Sequence, residues 1–287
     1  METDLTQRNG KGSQAVAVIS QSRRPSNFWL IIVAALFIIV PFLAWYFTWF
    51  GRGLSDADIA AYLAEEKNPR HIQHALLQVE QKIERHDAGA KQFYPQIVAL
   101  TKSPTPEVRK TVAWVMGQDN TSEDFHRALL ELLKDSEPLV RRNAALQLVR
   151  FGDASGRPEF RAMLQSFEVK VPFAGKIESL LPQGSTVRSG ALLARIRDIS
   201  GNVQEFRSPL DGRVSAPALV KEGDQVAANQ TLVVLTPDQA TVLDALRALA
   251  YVGTKEDLSL IESVAQNGAS VETANHAAMT AKAIQSR

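Results

Sequence analysis

From Asn27 to Phe50 no side chain carries a charge, and the stretch Phe28 to Phe50 is apolar apart from Thr48 and the aromatic tips. A helix of about 20 such residues matches a bilayer hydrocarbon core about 30 Å thick. Aromatic rings crowd both ends, Phe28 and Trp29 at one and Trp45, Tyr46, Trp49 and Phe50 at the other, where amphipathic rings meet a membrane surface. Pro41 lies inside the run, a position that lipid-embedded helices tolerate. A buried helix of a globular body would keep a polar stripe. A cleaved leader would have a shorter apolar region and small residues at its end. The run therefore reads as a retained transmembrane helix, in contact with the lipid bilayer through residues 28–50. Arg8, Lys11, Arg23 and Arg24 precede it, and Arg52 is the basic residue close behind it. This asymmetry predicts a single-pass protein with residues 1–27 in the cytoplasm and everything after about Gly51 outside it. Residues 1–27, rich in Gln, Ser and Arg, read as a disordered tail.

Composition removes several classes of chemistry. The net charge is +1, so no basic excess points to nucleic acid. Cysteine is absent, which excludes disulfides, thiolate nucleophiles and cysteine-based metal sites.

Residues 54–166 carry helical spacing and cap signals. Ser55-Asp-Ala-Asp58 and Thr121-Ser-Glu-Asp124 have the form of capping boxes. Thr105-Pro106-Glu107 supplies a cap, a proline at the first helical position and an acid in the first turn. Val140, Ala144, Leu148 and Phe151 share one face, as do Phe125, Leu129 and Leu132. Pro106-Glu-Val108-Arg109 recurs 32 residues later as Pro138-Leu-Val140-Arg141, each copy following a predicted helix (93–102, then 123–134) and opening another. Pro69 to Ile83 is a looser copy, with Ile72, Leu76, Val79 and Ile83 in line. The run from Pro138 to Asp153 resembles the second helix of a HEAT repeat, of the short bacterial kind named after phycobilisome lyases. That resemblance implies units that cannot bury their own apolar faces and so stack into a solenoid. Helices resume in 237–287: Ala240 to Tyr251, a cap at Thr254-Lys-Glu-Asp257, and a last helix from Ser270 to about Gln285. This part lacks Pro-x-Val-Arg, so repeats and generic packing helices both remain open for it. Arg157 to Gln165 reads as the first helix of a pair whose second is 240–251, with Phe160 and Leu164 expected against Ala245, Leu249 and Val252.

Between them, residues 167–236 lose helical spacing and gain glycines and short Val/Leu/Ile runs. The segment repeats internally. Val171-Pro-Phe-Ala-Gly175-Lys-Ile177 matches Ser208-Pro-Leu-Asp-Gly212-Arg-Val214, and Gln183-Gly184-Ser-Thr-Val187 matches Glu222-Gly223-Asp-Gln-Val226. The doubled motif resembles the biotinyl/lipoyl-attachment family, whose fold is the barrel-sandwich hybrid. It implies two small sheets, a core including Leu192, Ala194 and Ile196, and glycines at 175 and 212 for positive φ or close approach. In that family a lysine at the hairpin between the half-motifs carries the prosthetic group. Here the hairpin is Asp198-Ile-Ser-Gly-Asn-Val203, with no lysine between Lys176 and Lys221, so the resemblance implies the fold without the carrier chemistry. Periplasmic adaptor (membrane-fusion) proteins of efflux pumps share the anchor and this unit, but place a long helical hairpin where this chain has a tight turn. Lysostaphin-like peptidases need histidine ligands, and 167–236 contains none.

Few residues offer chemistry. His71 and His74 lie three apart on a predicted helix and could share a metal, but their neighbours are ordinary solvent-face residues. Arg109-Lys110 and Arg141-Arg142 could hold anions, although arginines at repeat positions more often bind acids or carbonyls of the next repeat. No catalytic, cofactor-binding or metal residue is expected, and no Ser/His/Asp order falls in a nucleophile context.

The expectation is an α+β multidomain chain: one transmembrane helix and a HEAT-like α-solenoid (54–166 and 237–287) with an inserted all-β unit (167–236). Its expected role is a non-enzymatic scaffold or accessory subunit of an integral membrane complex in a bacterial inner membrane, its body periplasmic and without a small-molecule substrate. The alternative is an atypical adaptor of an efflux or secretion transporter. Protease added to intact spheroplasts should digest the body beyond Gly51. Complete protection until lysis would reverse the orientation.

Overall fold

The computed structural model describes residues 28–49, 53–215, 220–267 and 270–287. The predicted tail, 1–27, lies outside the described residues, as do the ends of the anchor at Asn27 and Phe50. The helix α1 (Phe28–Trp49) belongs to one compact unit, and Leu54–Arg287 forms a second.

The helix α1 is 22 residues long and runs through Pro41 without a break. At 1.5 Å per residue that is about 33 Å. Its described side chains are Trp29 and residues 31–43. Over that shorter stretch the large apolar groups are open on every side, Trp29, Phe37 and Ile38 most of all. Among the described residues no helix is long and apolar enough to cross a membrane.

The second unit opens with helices in pairs. These are α2 (Asp56–Leu63) with α3 (Pro69–Glu84), α4 (Tyr94–Ala99) with α5 (Pro106–Met116), and α6 (Glu123–Leu132) with α7 (Pro138–Arg150). The second helices lie side by side in the order α3, α5, α7. Each begins with proline at its first turn, where the missing N–H costs no hydrogen bond. One core runs through the pairs, including Ile72, Leu76 and Val79, then Phe93, Val112 and Met116, then Phe125, Leu129, Val140 and Leu148. Burial of these faces, rather than propensity, holds such short helices. Ser55 and Asp58 form the expected capping box. At 121–124 the cap is Ser122, which accepts from the Phe125 N–H, one residue later than the sequence pattern suggested. The predicted helix over 93–102 is broken: 3₁₀ turns at Ala88–Phe93 and Leu100–Lys102 flank α4.

The fourth pair is α8 (Arg157–Met163) and α9 (Gln239–Val252). The β segment lies between them in sequence, yet they pack together. Phe160, Met163 and Leu164 share a core with Ala145 of α7 and with Val242, Ala245, Leu246 and Leu249, Val252 joining at its edge. Helices α10 (Leu258–Asn267) and α11 (Val271–Gln285) complete that core with Ile261, Ala277 and Ile284. Asp257, with no exposed surface, ties the two sides: Arg157 Nε lies 3.2 Å and Arg161 Nε 3.6 Å from its carboxylate. Its Oδ2 also accepts from the Thr254 N–H at 2.8 Å.

Eight strands fill 167–236: β1 (Phe167–Lys170), β2 (Gly175–Leu180), β3 (Thr186–Val187), β4 (Leu192–Asp198), β5 (Val203–Arg207), β6 (Gly212–Val214), β7 (Gln225–Val226) and β8 (Thr231–Thr236). They form two four-stranded antiparallel sheets, ordered β1-β8-β6-β3 and β5-β4-β2-β7. Exchanging each strand for its counterpart in the other half (1 for 5, 2 for 6, 3 for 7, 4 for 8) converts one order into the other. The sequence duplication is thus a pseudo-twofold axis. Its hydrogen bonds repeat across the halves. Gly184 N–H donates to Val214 O at 2.9 Å and Gly223 N–H to Ile177 O at 2.8 Å; Val214 N–H donates to Ser185 O and Ile177 N–H to Asp224 O, both at 2.9 Å. Each half closes the other's turn.

At Gly175 and Gly212 close approach, not positive φ, is the requirement. A Cβ at Gly175 would sit 2.5 Å from the Arg197 carbonyl oxygen, and one at Gly212 would sit 2.6 Å from that of Thr236. The left-handed turn positions are instead Gly184 (φ 75°) and Gly190 (φ 81°) in one half and Gly223 (φ 89°) and Asn229 (φ 64°) in the other, Asn being among the few residues that tolerate it. A register shift in β4 turns Leu193 into the core, with Ala194 and Ile196, and leaves Leu192 half-buried.

Because α8 and α9 already share a core, replacing 168–236 with a short Gly/Ser linker should leave one cooperative helical melting transition. Its midpoint should move by only a few degrees, about 1 kcal/mol for a body this size. Separate melting of 54–166 and 239–287, followed by circular dichroism, would show that the pair depends on the β segment.

Candidate interaction surface

The repeat arginines are consumed inside the stack. Arg109 binds Asp135 with two hydrogen bonds, Nε at 2.6 Å and a terminal nitrogen at 2.8 Å, and donates to the Ser103 carbonyl at 2.8 Å. Arg141, 32 residues on, donates to Glu159 at 2.8 Å and to the Asp135 carbonyl at 2.8 Å. Both therefore reach the carbonyl six residues back and an acid of the next unit. Burial alone would raise the Asp135 carboxyl, but Arg109 and the Glu137 N–H outweigh it and hold it below its ordinary range. Lys110 lines a cleft of about 200 Å³, and Arg142 is buried. Neither pair presents two free cations to solvent.

The histidines do not converge on a common ligand. His71 Nδ1 pairs with Glu65 at 2.5 Å and its ring stacks on Tyr62 at 4.2 Å, while His74 lies tilted to the same ring. Among the described residues no group of His, Cys, Asp and Glu is placed to hold a metal ion.

Three aspartates missed in the sequence close the helical units in the same way. Asp87, Asp119 and Asp153 each accept the N–H two residues on, from Gly89, Thr121 and Ser155. Asp119 also accepts the Tyr94 hydroxyl at 2.8 Å, and Asp153 bonds His126 Nε2 at 2.7 Å. Their signal was an Asp two residues before a small or hydroxylated residue at each helix end.

What remains open is the face of α3, α5 and α7. Eight residues after each helix-opening proline stand Leu77, Trp114 and Leu146. Leu77 and Trp114 are 48% and 46% exposed, whereas Leu146 is half-buried against the core that α7 shares with α8 and α9. A polar chain frames them. Trp114 Nε1 donates to Glu80 at 2.5 Å, Gln118 donates to the Trp114 carbonyl at 3.0 Å, and Arg150 donates to Gln118 at 2.9 Å. The indole is thereby held in one orientation with an apolar face in solvent. The sequence contained this ladder, but its three members differ in size and none belongs to the Pro-x-Val-Arg motif.

The β4–β5 hairpin is a tight, saturated turn. Asp198 accepts from the N–H groups of Ser200 (2.9 Å) and Asn202 (3.0 Å) and from Gln204 (2.8 Å). Ile199 at its tip is 91% exposed. Lys176 pairs in β2 and Lys221 opens the turn before β7, so neither lies on this hairpin.

Residues 94–171 match the family of HEAT repeats. The match stops short of α9 to α11. None of the curated proteins matches the chain. Among solved structures, one described as a single-chain, multi-domain long-chain acyl-CoA carboxylase is similar over 44% of this chain at 18% identity, with a TM-score of 0.24. The chain spans 15% of that protein's length.

The Arg109–Asp135 pair makes a pH-dependent contribution. A carboxyl held below its ordinary value of 3.8 stabilises the fold above that pH, and the effect is lost as pH falls through the lower folded value. Asp135→Asn should cost about 3 kcal/mol at pH 7, as expected for breaking a buried pair. In denaturant titrations the gap to the unaltered chain should narrow as pH falls below 3.8 and through the lower folded value. A gap that stays constant with pH would assign the loss to packing.

Proposed function

We propose that this chain is a non-enzymatic, membrane-anchored scaffold whose stacked helices dock a protein segment of an integral membrane complex. The observation that carries the reading is the exposed pair Leu77 and Trp114, with the indole held in one orientation by Glu80. HEAT repeats commonly mediate protein–protein interaction, and exposed Trp is enriched among residues that dominate binding. The anchoring rests on the sequence alone, on the uncharged apolar run 28–50 and the aromatics at its ends. With four basic residues before the helix and Arg52 behind it, the body is assigned to the periplasmic side.

The β unit is assigned to the barrel-sandwich hybrid fold of biotinyl and lipoyl domains, on its two interlocked halves. It is read as a second docking element, not a carrier, because Ser200-Gly201-Asn202 occupies the hairpin. The tight turn at 198–203 favours the scaffold over an efflux adaptor, whose half-motifs are separated by a helical hairpin.

Affinity purification of the full chain from native membranes should recover an integral membrane complex. Trp114→Ala should weaken that association by about 2 kcal/mol or more with an unchanged melting curve. Equal recovery by both proteins, or recovery of nothing, would remove the reading.

A further inference from the structure

The strand β5 ends its sheet, with β4 on one side and, among the described residues, no strand on the other. Val203, Gln204, Glu205 and Arg207 are exposed, and Phe206 packs at the margin of the β core. The backbone bonds of β5 alternate. Asp198 N–H donates to Asn202 O at 2.9 Å, Gly190 N–H to Ser208 O at 2.7 Å and Ser208 N–H to Ala191 O at 2.8 Å. Between these, Gln204 lies opposite Ile196 and Phe206 opposite Ala194, so the even-numbered residues bond to β4. Val203, Glu205 and Arg207 therefore turn their N–H and C=O groups to the open side. Such an edge is a template for another strand.

The charges along the edge select the partner. Glu205 accepts from Arg207 at 2.6 Å and from Arg195 at 3.3 Å. These side chains are about half exposed, so the contacts exchange at little cost. Charges on an edge usually turn an arriving strand away. Here Glu205 and Arg207 have opposite signs on one face of the strand, and a reversed copy of the same strand can match them. A twofold antiparallel pairing centred on Glu205 would set two carboxylates directly opposite, which is unfavourable. One centred on Gln204 would set Val203 against Glu205. Centred on Phe206, the pairing sets Glu205 opposite Arg207 of the second copy on both sides of the axis. The two Phe206 rings then meet at a position where antiparallel strands come closest. Pro209 has no N–H and ends the pairing beyond.

We infer that a second copy of this chain docks on β5 in that register, joining two sheets into one across a twofold axis at Phe206. This deepens the reading of the β unit as a docking element by naming its occupant. The interface is small, so the association is reversible.

Sedimentation of the purified full chain in detergent, over a concentration series, should show a reversible dimer. Glu205→Arg sets arginine opposite arginine, and Arg207→Glu sets carboxylate opposite carboxylate. Each should weaken the dimer about tenfold. An equimolar mixture of the two variants should regain the affinity of the unaltered chain, because each supplies the charge the other lacks. Pairing within one chain cannot produce that recovery. Cysteine is absent from the chain, so Phe206→Cys should cross-link to its own copy on oxidation. Gln204→Cys, about 13 Å from its copy in this register, should not. A monomer at every concentration would overturn the inference. So would a dimer indifferent to both charge variants, a mixture no tighter than its parts, or stronger cross-linking at Gln204→Cys than at Phe206→Cys. Should a charge variant fail to fold by circular dichroism, the two cysteine variants decide alone. The purified chain contains no membrane complex, so this result is separate from recovery of a partner through Trp114.

Discussion

The second unit depends on the join between α8 and α9. These helices are separated in sequence by a complete β unit, and the helical body is continuous only if they find each other. Phe160 and Leu246, both fully buried in the shared core, supply the attraction, which is non-directional. Direction comes from Asp257. A buried carboxylate facing Arg157 and Arg161 tolerates few alternative arrangements, since a misregistered helix would strand the charge. Glu256 adds a hydrogen bond to Arg157 at 2.7 Å, close to solvent and of less weight.

The β unit solves a different problem. Its strands are short, two of them only two residues long, so no strand pair would be stable alone. Stability comes from reciprocity: the turn at Gly184 is closed by a strand of the second half and that at Gly223 by a strand of the first. The two sheets then enclose one core, with Val171, Ile177, Ile196, Leu210, Leu232 and Leu235 fully buried. A half-unit would leave its turn hydrogen bonds unmade and half of that core in water.

The limits of both regions were legible because their signals are local. Pro106 and Pro138 start helices by covalent constraint, and the doubled Pro-x-x-Gly pattern marks equivalent strands. Leu192 was expected in the core, where Leu193 sits instead, because a register shift is not written in hydrophobic alternation; it depends on which strand lies alongside. Ser122 was passed over for Thr121 because two neighbouring hydroxyl residues both satisfy the capping pattern. The partners of Arg109 and Arg141 were foreseen in kind, as acids of the next unit. That Asp135 and Glu159 are those acids depends on the stacking angle, which no single repeat encodes. The ladder at Leu77, Trp114 and Leu146 was missed for the opposite reason. It was present in the sequence at a fixed offset, but exposed apolar residues resemble core residues until burial separates them.

The pseudo-twofold axis has a topological meaning. It exchanges the β8–β1 end, where the host helices enter and leave, with the β4–β5 hairpin. The strand ends at Asp198 and Val203 therefore repeat, by symmetry, the geometry of an opening that already accepts a helical pair. The unit is a coupler with two equivalent ports, one occupied by the solenoid and the other closed by four residues. Lengthening that turn into a second helical insertion would require no new strand and no change of register. The same framework could thus have joined helical arrays at both poles by recombination alone.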